Sequence, residues 1–342
     1  MEFLIEYAGF LLKLVTVALI IGLVLAGVLS GRSKPKGGNL TVTKLNDKYE
    51  KMQQSLKSEL LDKKTFKQQQ KRQKKADKIA EKAKKGKEEE PKKRVFVLDF
   101  DGDIRASAVE HMRKEITAVL SIASPQDEVV LRLESGGGMV HSYGLAASQL
   151  QRITAANLAL TVCVDKVAAS GGYMMACVAN KIVAAPFAIL GSIGVVAQVP
   201  NLHRLLDKNL VDIELHTAGR YKRTLTMLGQ NTDEGREKFK QDLEDTHVLF
   251  KEFVSTQRPI MDIEAIATGD VWYGSQALKN NLIDLVSTSD AYLISRYDEA
   301  EVVAVAYREP KKMAERLGLS VLAAVETKVT QWLSHITQHR GF

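Results

Sequence analysis

Between Arg94 and Pro186 short apolar runs alternate with amphipathic ones, and this alternation constrains the fold more than any other feature of the chain. "RVFVLDF" (94–100), "EVVLRLES" (128–135), "LALTVCVD" (158–165) and "KIVAAP" (181–186) have the length and β-branched content of buried strands. "SAVEHMRKEITAVLSIA" (107–123) and "VHSYGLAASQLQRITAA" (140–156) carry apolar residues at helical spacing, and a further helix is expected to open after Ser170. A short strand at 211–217 ("VDIELHT") and a long helix within 233–257 continue the pattern. Strands that alternate with helices join through right-handed β-α-β crossovers into a largely parallel sheet. In such folds the chemistry collects in loops after the carboxyl ends of strands. "ESGGG" (134–138), "KVAASGG" (166–172) and "APFAILGSIG" (185–194) all fall there.

The net charge of +7 does not mark a nucleic-acid binder, because it is concentrated in one segment. Residues 41–94 hold 19 Lys/Arg against 9 Asp/Glu, which leaves 29 against 32 for the rest of the chain. No nucleic-acid partner is expected. That basic segment is rich in Lys, Gln, Glu and Ala, good helix formers with little to bury, and reads as a solvated helical or disordered stalk. Ahead of it, Ala8–Ser30 is apolar except for Lys13. As a helix it would reach about 34 Å, enough to cross a bilayer core of about 30 Å. Glu2 and Glu6 lead it without a preceding Lys or Arg, which argues for a retained anchor rather than a cleaved signal peptide. Membrane lipid is therefore an expected partner. The basic residues behind the span place the folded domain in the cytoplasm by the positive-inside rule.

Ser170 sits in "VAASGGYMMA", a hydroxyl in an apolar run with two glycines directly behind it. A serine attacks a carbonyl only when a neighbouring base takes its proton. At a strand-to-helix junction it would stand beside free backbone N–H groups, and Gly171 lets a carbonyl oxygen approach them. The amides of Gly171 and Gly137 are the candidate oxyanion donors. None of the seven histidines lies in a motif that ties it to Ser170. Lys222, in "HTAGRYKRTLT" (216–226), is the other candidate base. A lysine base must have its pKa lowered from about 10.4 to roughly 7–8 by desolvation. Cys163 and Cys177 lack metal-ligand spacing and read as buried structural thiols.

Taken together, these elements resemble the signal peptide peptidase A (protease IV) family of the ClpP/crotonase fold, in its branch of bacterial inner-membrane peptidases. "AASGGYMMA" resembles the family's nucleophile motif at Ser170, and "GSIGV" (191–195) a second motif whose serine, here Ser192, orients the lysine. "AGRYK" places the family's general base at Lys222. "ESGGG" resembles the family's Asn-Ser-Pro-Gly-Gly oxyanion loop, with Gly137 as the first of its glycine pair but Glu134 and Gly136 where Asn and Pro are usual. "TGDVWYGSQALKNNLIDLV" (268–286) is similar to a later family signature. The resemblance implies a serine endopeptidase with a Ser-Lys dyad, acting on peptide or protein substrates such as signal peptides, without metal or organic cofactor. It further implies a homo-oligomer whose protomers share the site, and a domain outside the cytoplasm, against the charge rule.

The expected organisation is an α/β protein of repeated β-α-β units. A transmembrane anchor (1–30) is followed by a charged stalk (31–93), a peptidase domain (94–310) and an amphipathic C-terminal helix (311–342). Two alternatives stay open at this point. The fold could serve as an inactive membrane scaffold. "VLDFDGDI", with Asp99, Asp101 and Asp103, also resembles the start of a Mg²⁺-dependent haloacid-dehalogenase-type phosphatase, although no second acidic pair follows on a later strand.

Overall fold

A computed structural model describes residues 7, 9–11, 13–17, 38–84 and 92–309 of the chain. The chain divides into a unit of Leu40–Tyr307 and a second made of Met1–Asn39 with Arg308–Phe342. In the second unit, residues 9–11 and 13–17 are helical. Most of the expected anchor and the whole of the expected C-terminal helix lie outside the described residues. Among the described residues no helix is long and apolar enough to cross a membrane.

The larger unit is built on a sheet in the order β1-β10-β2-β3-β4-β6-β9. These strands are β1 (Asn39–Lys44), β2 (Arg94–Gly102), β3 (Glu128–Ser135), β4 (Ala159–Val164), β6 (Lys181–Ala184), β9 (Leu285–Val286) and β10 (Glu301–Arg308). From β10 through to β9 every pairing is parallel. The alternation within β2 shows why the sheet is buried on both faces. Phe96, Leu98 and Phe100 pack into the main core, while Val95 and Val97 join a second cluster with Val130, Cys163, Val183 and Val302. The helices α3 (Val109–Leu120) and α4 (Val140–Ala155) cover the first face with Met112, Ile116, Tyr143 and Leu150, all fully buried. The short helix α10 (Ser289–Ile294) covers the second with Tyr292 and Leu293. Each such side chain contributes about 1.5–3 kcal/mol on burial. At the amino end of the sheet the buried Asp127 carboxylate binds the Arg94 guanidinium at 2.6 Å and the amides of Arg94 and Ser124 at 2.8 Å.

What positions the site is a fork in β3. Its first residues pair with β4, but its last, Ser135, pairs with Ala168 of the short strand β5 (Val167–Ala169). β5 in turn runs parallel to β7 (Ile189–Gly191), and β7 pairs antiparallel with β8 (Val271–Tyr273). The carboxyl ends of β3, β5 and β7 thus lie side by side.

Two expectations need correction. Residues 211–217 are not a strand but irregular chain. Val211, Ile213 and Leu215 are all exposed, and among the described residues no strand offers a ladder for their backbone. The segment expected as stalk is helical in α1 (Leu45–Leu60) and α2 (Lys63–Lys84), but it opens with a strand, β1, that extends the sheet beside β10. Asn46 ties α1 to the same edge: its side chain donates to the carbonyls of Tyr297 and Ala300 and accepts from the Val302 amide.

Candidate active site

Each of the three neighbouring strand ends delivers one element of the site. β5 ends at Ala169 and hands the chain to Ser170, whose backbone is held at φ 53°, ψ −119°. A non-glycine residue there is strained, and such strain persists only where the surroundings fix it. The fixing contacts are its own amide, donated to Gly191 O at 2.8 Å, and its carbonyl, which accepts from the Met174 amide at 3.0 Å. Immediately after it starts the short helix α5 (Gly171–Ala176). A Cβ on Gly171 would stand 2.4 Å from the Tyr143 ring, so the packing admits only glycine.

β3 ends at Ser135 and opens the triple-glycine loop. Gly137, at φ +89°, lies so close to the serine that a Cβ on it would meet Gly171 N and Ser170 Cβ at 2.7 Å each. Its amide donates to Ser135 Oγ at 3.1 Å, whereas the Gly138 amide donates to nothing among the described residues. A run of identical residues gives no sign of which amide is free, and sequence reading named only Gly137. The Glu134 carboxylate that replaces the usual Asn pairs with Lys166 at 2.9 Å on the surface.

β7 ends at Gly191 and delivers Ser192, at φ 48°, with its amide donated to Asp270 O at 2.7 Å. Ser170, Ser192 and Gly136–Gly138 line one cavity of about 690 Å³. Its far wall is a face of the long helix α7 (Asp233–Gln257), with Lys240, Leu243, Glu244 and His247 one turn apart, and Thr268 and Gly269 close it. His247 is a cavity residue that sequence spacing did not connect with Ser170. Its Nε2 is buried and has no hydrogen-bond partner among the described residues.

Lys222 is absent from that lining. It is exposed, on a turn closed by its amide donating to Gly219 O at 3.1 Å. The turn is tethered to the start of α7, where Arg220 pairs with Glu234 at 2.7 Å. Thr232 caps that helix, its hydroxyl accepting from the Gly235 amide. The chain therefore brings Ser170, Gly171, Gly137 and Ser192 together, and leaves Lys222 outside the residues that line their cavity.

The remaining candidates have structural duties. Burial, reinforced by Asp165 and Glu128, pushes the Cys163 thiol up to about 12, and burial pushes Cys177 further still, so neither is a thiolate nucleophile. Asp99 forms a two-pronged pair with Arg132 at 2.6 and 2.8 Å. The Asp103 carboxylate accepts from the Ser107 amide and hydroxyl, both at 2.8 Å, which holds its pKa below the usual range. These acids stabilise turns and strands and do not present the phosphatase arrangement.

Comparison with known proteins shows the family of the chain. The N-terminal domain of peptidase family S49 matches residues 2–150, and the peptidase family S49 domain itself matches residues 152–303. A protein of Haemophilus influenzae named as a SohB protease is 49% identical over 93% of this chain and 92% of its own. A SohB protease relative from Buchnera aphidicola subsp. Baizongia pistaciae is 43% identical over 98% of this chain and 99% of its own. Among solved structures, a membrane-bound stomatin-specific protease aligns at 13% identity with a TM-score of 0.42, over 64% of this chain and 99% of that one, too loosely to carry an argument.

Proposed function

The chain belongs to peptidase family S49 and is SohB-like within it, and from that premise we propose that it is a membrane-anchored serine endopeptidase with a Ser170–Lys222 dyad. The observation that carries the reading is the strained Ser170 backbone at the mouth of a cavity it shares with Ser192 and the triple-glycine loop.

In this mechanism the neutral Lys222 amine takes the Ser170 Oγ proton as the oxygen attacks the scissile carbonyl carbon. The oxyanion is held by the Gly171 amide with an amide of the triple-glycine loop: the motif points to Gly137, but its N–H is given to Ser135 Oγ, so the donor from this loop is the Gly138 N–H. Lysine then protonates the leaving amine, and water releases the acyl group by the reverse sequence. Ser192 orients the lysine. The fold is of ClpP/crotonase type, residues 8–30 anchor the chain in the bacterial cytoplasmic membrane, and extended peptides bind by adding a strand.

Separation of Lys222 from the cavity supports a site shared between protomers, where the lysine of one chain reaches the serine of the next. Docking of that turn against a neighbour would also supply the desolvation a lysine base needs.

The test is hydrolysis of a peptide series by the intact membrane protein. Ser170→Ala, Lys222→Ala and Lys222→Arg should each lose at least about 10³-fold in kcat at unchanged melting temperature. Arginine fails because a guanidinium does not deprotonate. Activity retained by Lys222→Arg rules out the lysine base.

A further inference from the structure

The triple-glycine loop poses a physical problem that the dyad does not solve. An oxyanion donor must be held within a fraction of an ångström, yet three consecutive glycines give the most pliant backbone a chain can have. Gly136 occupies the position where the family pattern has a rigid proline.

A buried relay of hydrogen bonds supplies the missing rigidity. The Tyr143 hydroxyl donates to Asp103 O at 2.7 Å and lies 2.6 Å from Ser135 Oγ. A phenol has one proton, so with that proton given to Asp103 the serine must donate to the tyrosine. Ser135 Oγ is then left to accept the Gly137 amide, which it does at 3.1 Å. The order of donors is thus fixed from Gly137 through Ser135 and Tyr143 to the Asp103 carbonyl.

The packing is built around this relay. Tyr143 is fully buried, and its ring supports Gly171 from below. Gly102, the register partner of Ser135, leaves room for the two hydroxyls: a Cβ there would stand 2.5 Å from Ser135 Oγ and 2.6 Å from Tyr143 Oη. The turn that offers the Asp103 carbonyl is itself tied by the Asp103 carboxylate to Ser107 and the Arg105 amide. The next carbonyl of that turn, Ile104 O, accepts the Met139 amide at 2.8 Å and so secures the far end of the loop.

We propose that Tyr143 is a positioning residue: through Ser135 it locks the glycine loop beside Ser170, the task a proline at 136 would otherwise perform. Tyr143 touches neither substrate nor the reacting atoms, and acts through the loop amides. Asp103, the last aspartate of "DFDGDI", serves as the foundation of this lock. The proposal rests on the serine-peptidase reading, but the lock itself has a readout independent of activity.

The experiment compares the intact protein with Tyr143→Phe, Gly136→Pro and the double variant. Phenylalanine keeps the ring and removes only the hydroxyl. At position 136 a Cβ meets nothing within 4 Å, and the Gly136 amide, which a proline would remove, donates to nothing among the described residues. Tyr143→Phe should lower kcat by about 10- to 100-fold, as small misplacements in a site do, with KM nearly unchanged. It should also speed amide hydrogen exchange at Gly137. Adding Gly136→Pro should recover most of the lost kcat, which general destabilisation by Tyr143→Phe would not allow. Unchanged kcat and unchanged exchange in Tyr143→Phe overturn the proposal, as does loss of kcat that the proline leaves uncorrected. If the intact protein cleaves no peptide, the peptidase reading fails, and Gly137 exchange alone decides whether the lock exists.

Discussion

Gly137 and Ser170 are packed so tightly that a single methyl group on the glycine would stand 2.7 Å from the serine Cβ. This contact couples the triple-glycine loop to Ser170. The φ of +89° at Gly137 adds a backbone preference that only glycine meets without strain. Gly137→Ala should therefore abolish turnover and lower stability by roughly 1–3 kcal/mol. Peptide hydrolysis and urea unfolding, measured on the same preparation, check both effects.

Asp127 predicts an acid-labile step far from the site. Burial alone would raise its carboxyl pKa, but hydrogen bonds from Arg94 and Ser124 outweigh burial and hold it below the ordinary range. A depressed folded pKa gives stability that is present above the unfolded value of about 3.9 and is lost as pH falls through the folded value. Asp127→Asn should cost on the order of 2–3 kcal/mol at neutral pH. The gap between the two proteins should narrow in unfolding curves taken below about pH 4. A gap independent of pH would show that packing, and not the charge, matters at this position.

His247 lines the cavity it shares with Ser170, and its buried Nε2 has no hydrogen-bond partner among the described residues, which makes it the natural rival to Lys222 as base. With lysine as base, His247→Gln should keep kcat within about tenfold of the parent while altering KM for peptides that reach the α7 wall. A collapse of kcat in His247→Gln, with Lys222→Ala still active, would reverse the assignment.

Most of the fold was legible because it depends on local patterning. β2, β3, β4 and β6 and the helices between them announce themselves through apolar alternation and helical spacing. The strand expected at 211–217 failed because Val211, Ile213 and Leu215 imitate a strand but have no strand to pair with among the described residues. The three-residue strands β5, β7 and β8 are too short to show periodicity, yet they set Ser170 and Ser192 side by side. Ser170, Ser192, Lys222 and the glycine loop could be named from motifs. The tie between Tyr143, Ser135 and Asp103 could not, because the residues are 8 and 40 positions apart and meet only when α4 packs on the sheet.

Separation of the lysine turn from the cavity leads to a complementation test. Co-expressed Ser170→Ala and Lys222→Ala chains should regain activity, because a mixed assembly contains junctions where an intact serine meets an intact lysine. Verified mixed oligomers that stay inactive would place both groups in one chain, while leaving the dyad itself standing.

The nucleophile is the central claim, and covalent labelling tests it most directly. The intact protein, treated with a serine-directed phosphonylating probe and weighed by mass spectrometry, should gain one adduct that peptide mapping places on Ser170. Ser170→Ala should gain none under the same conditions. An adduct on another residue, or equal labelling of Ser170→Ala, would contradict the assignment of Ser170 as the attacking group.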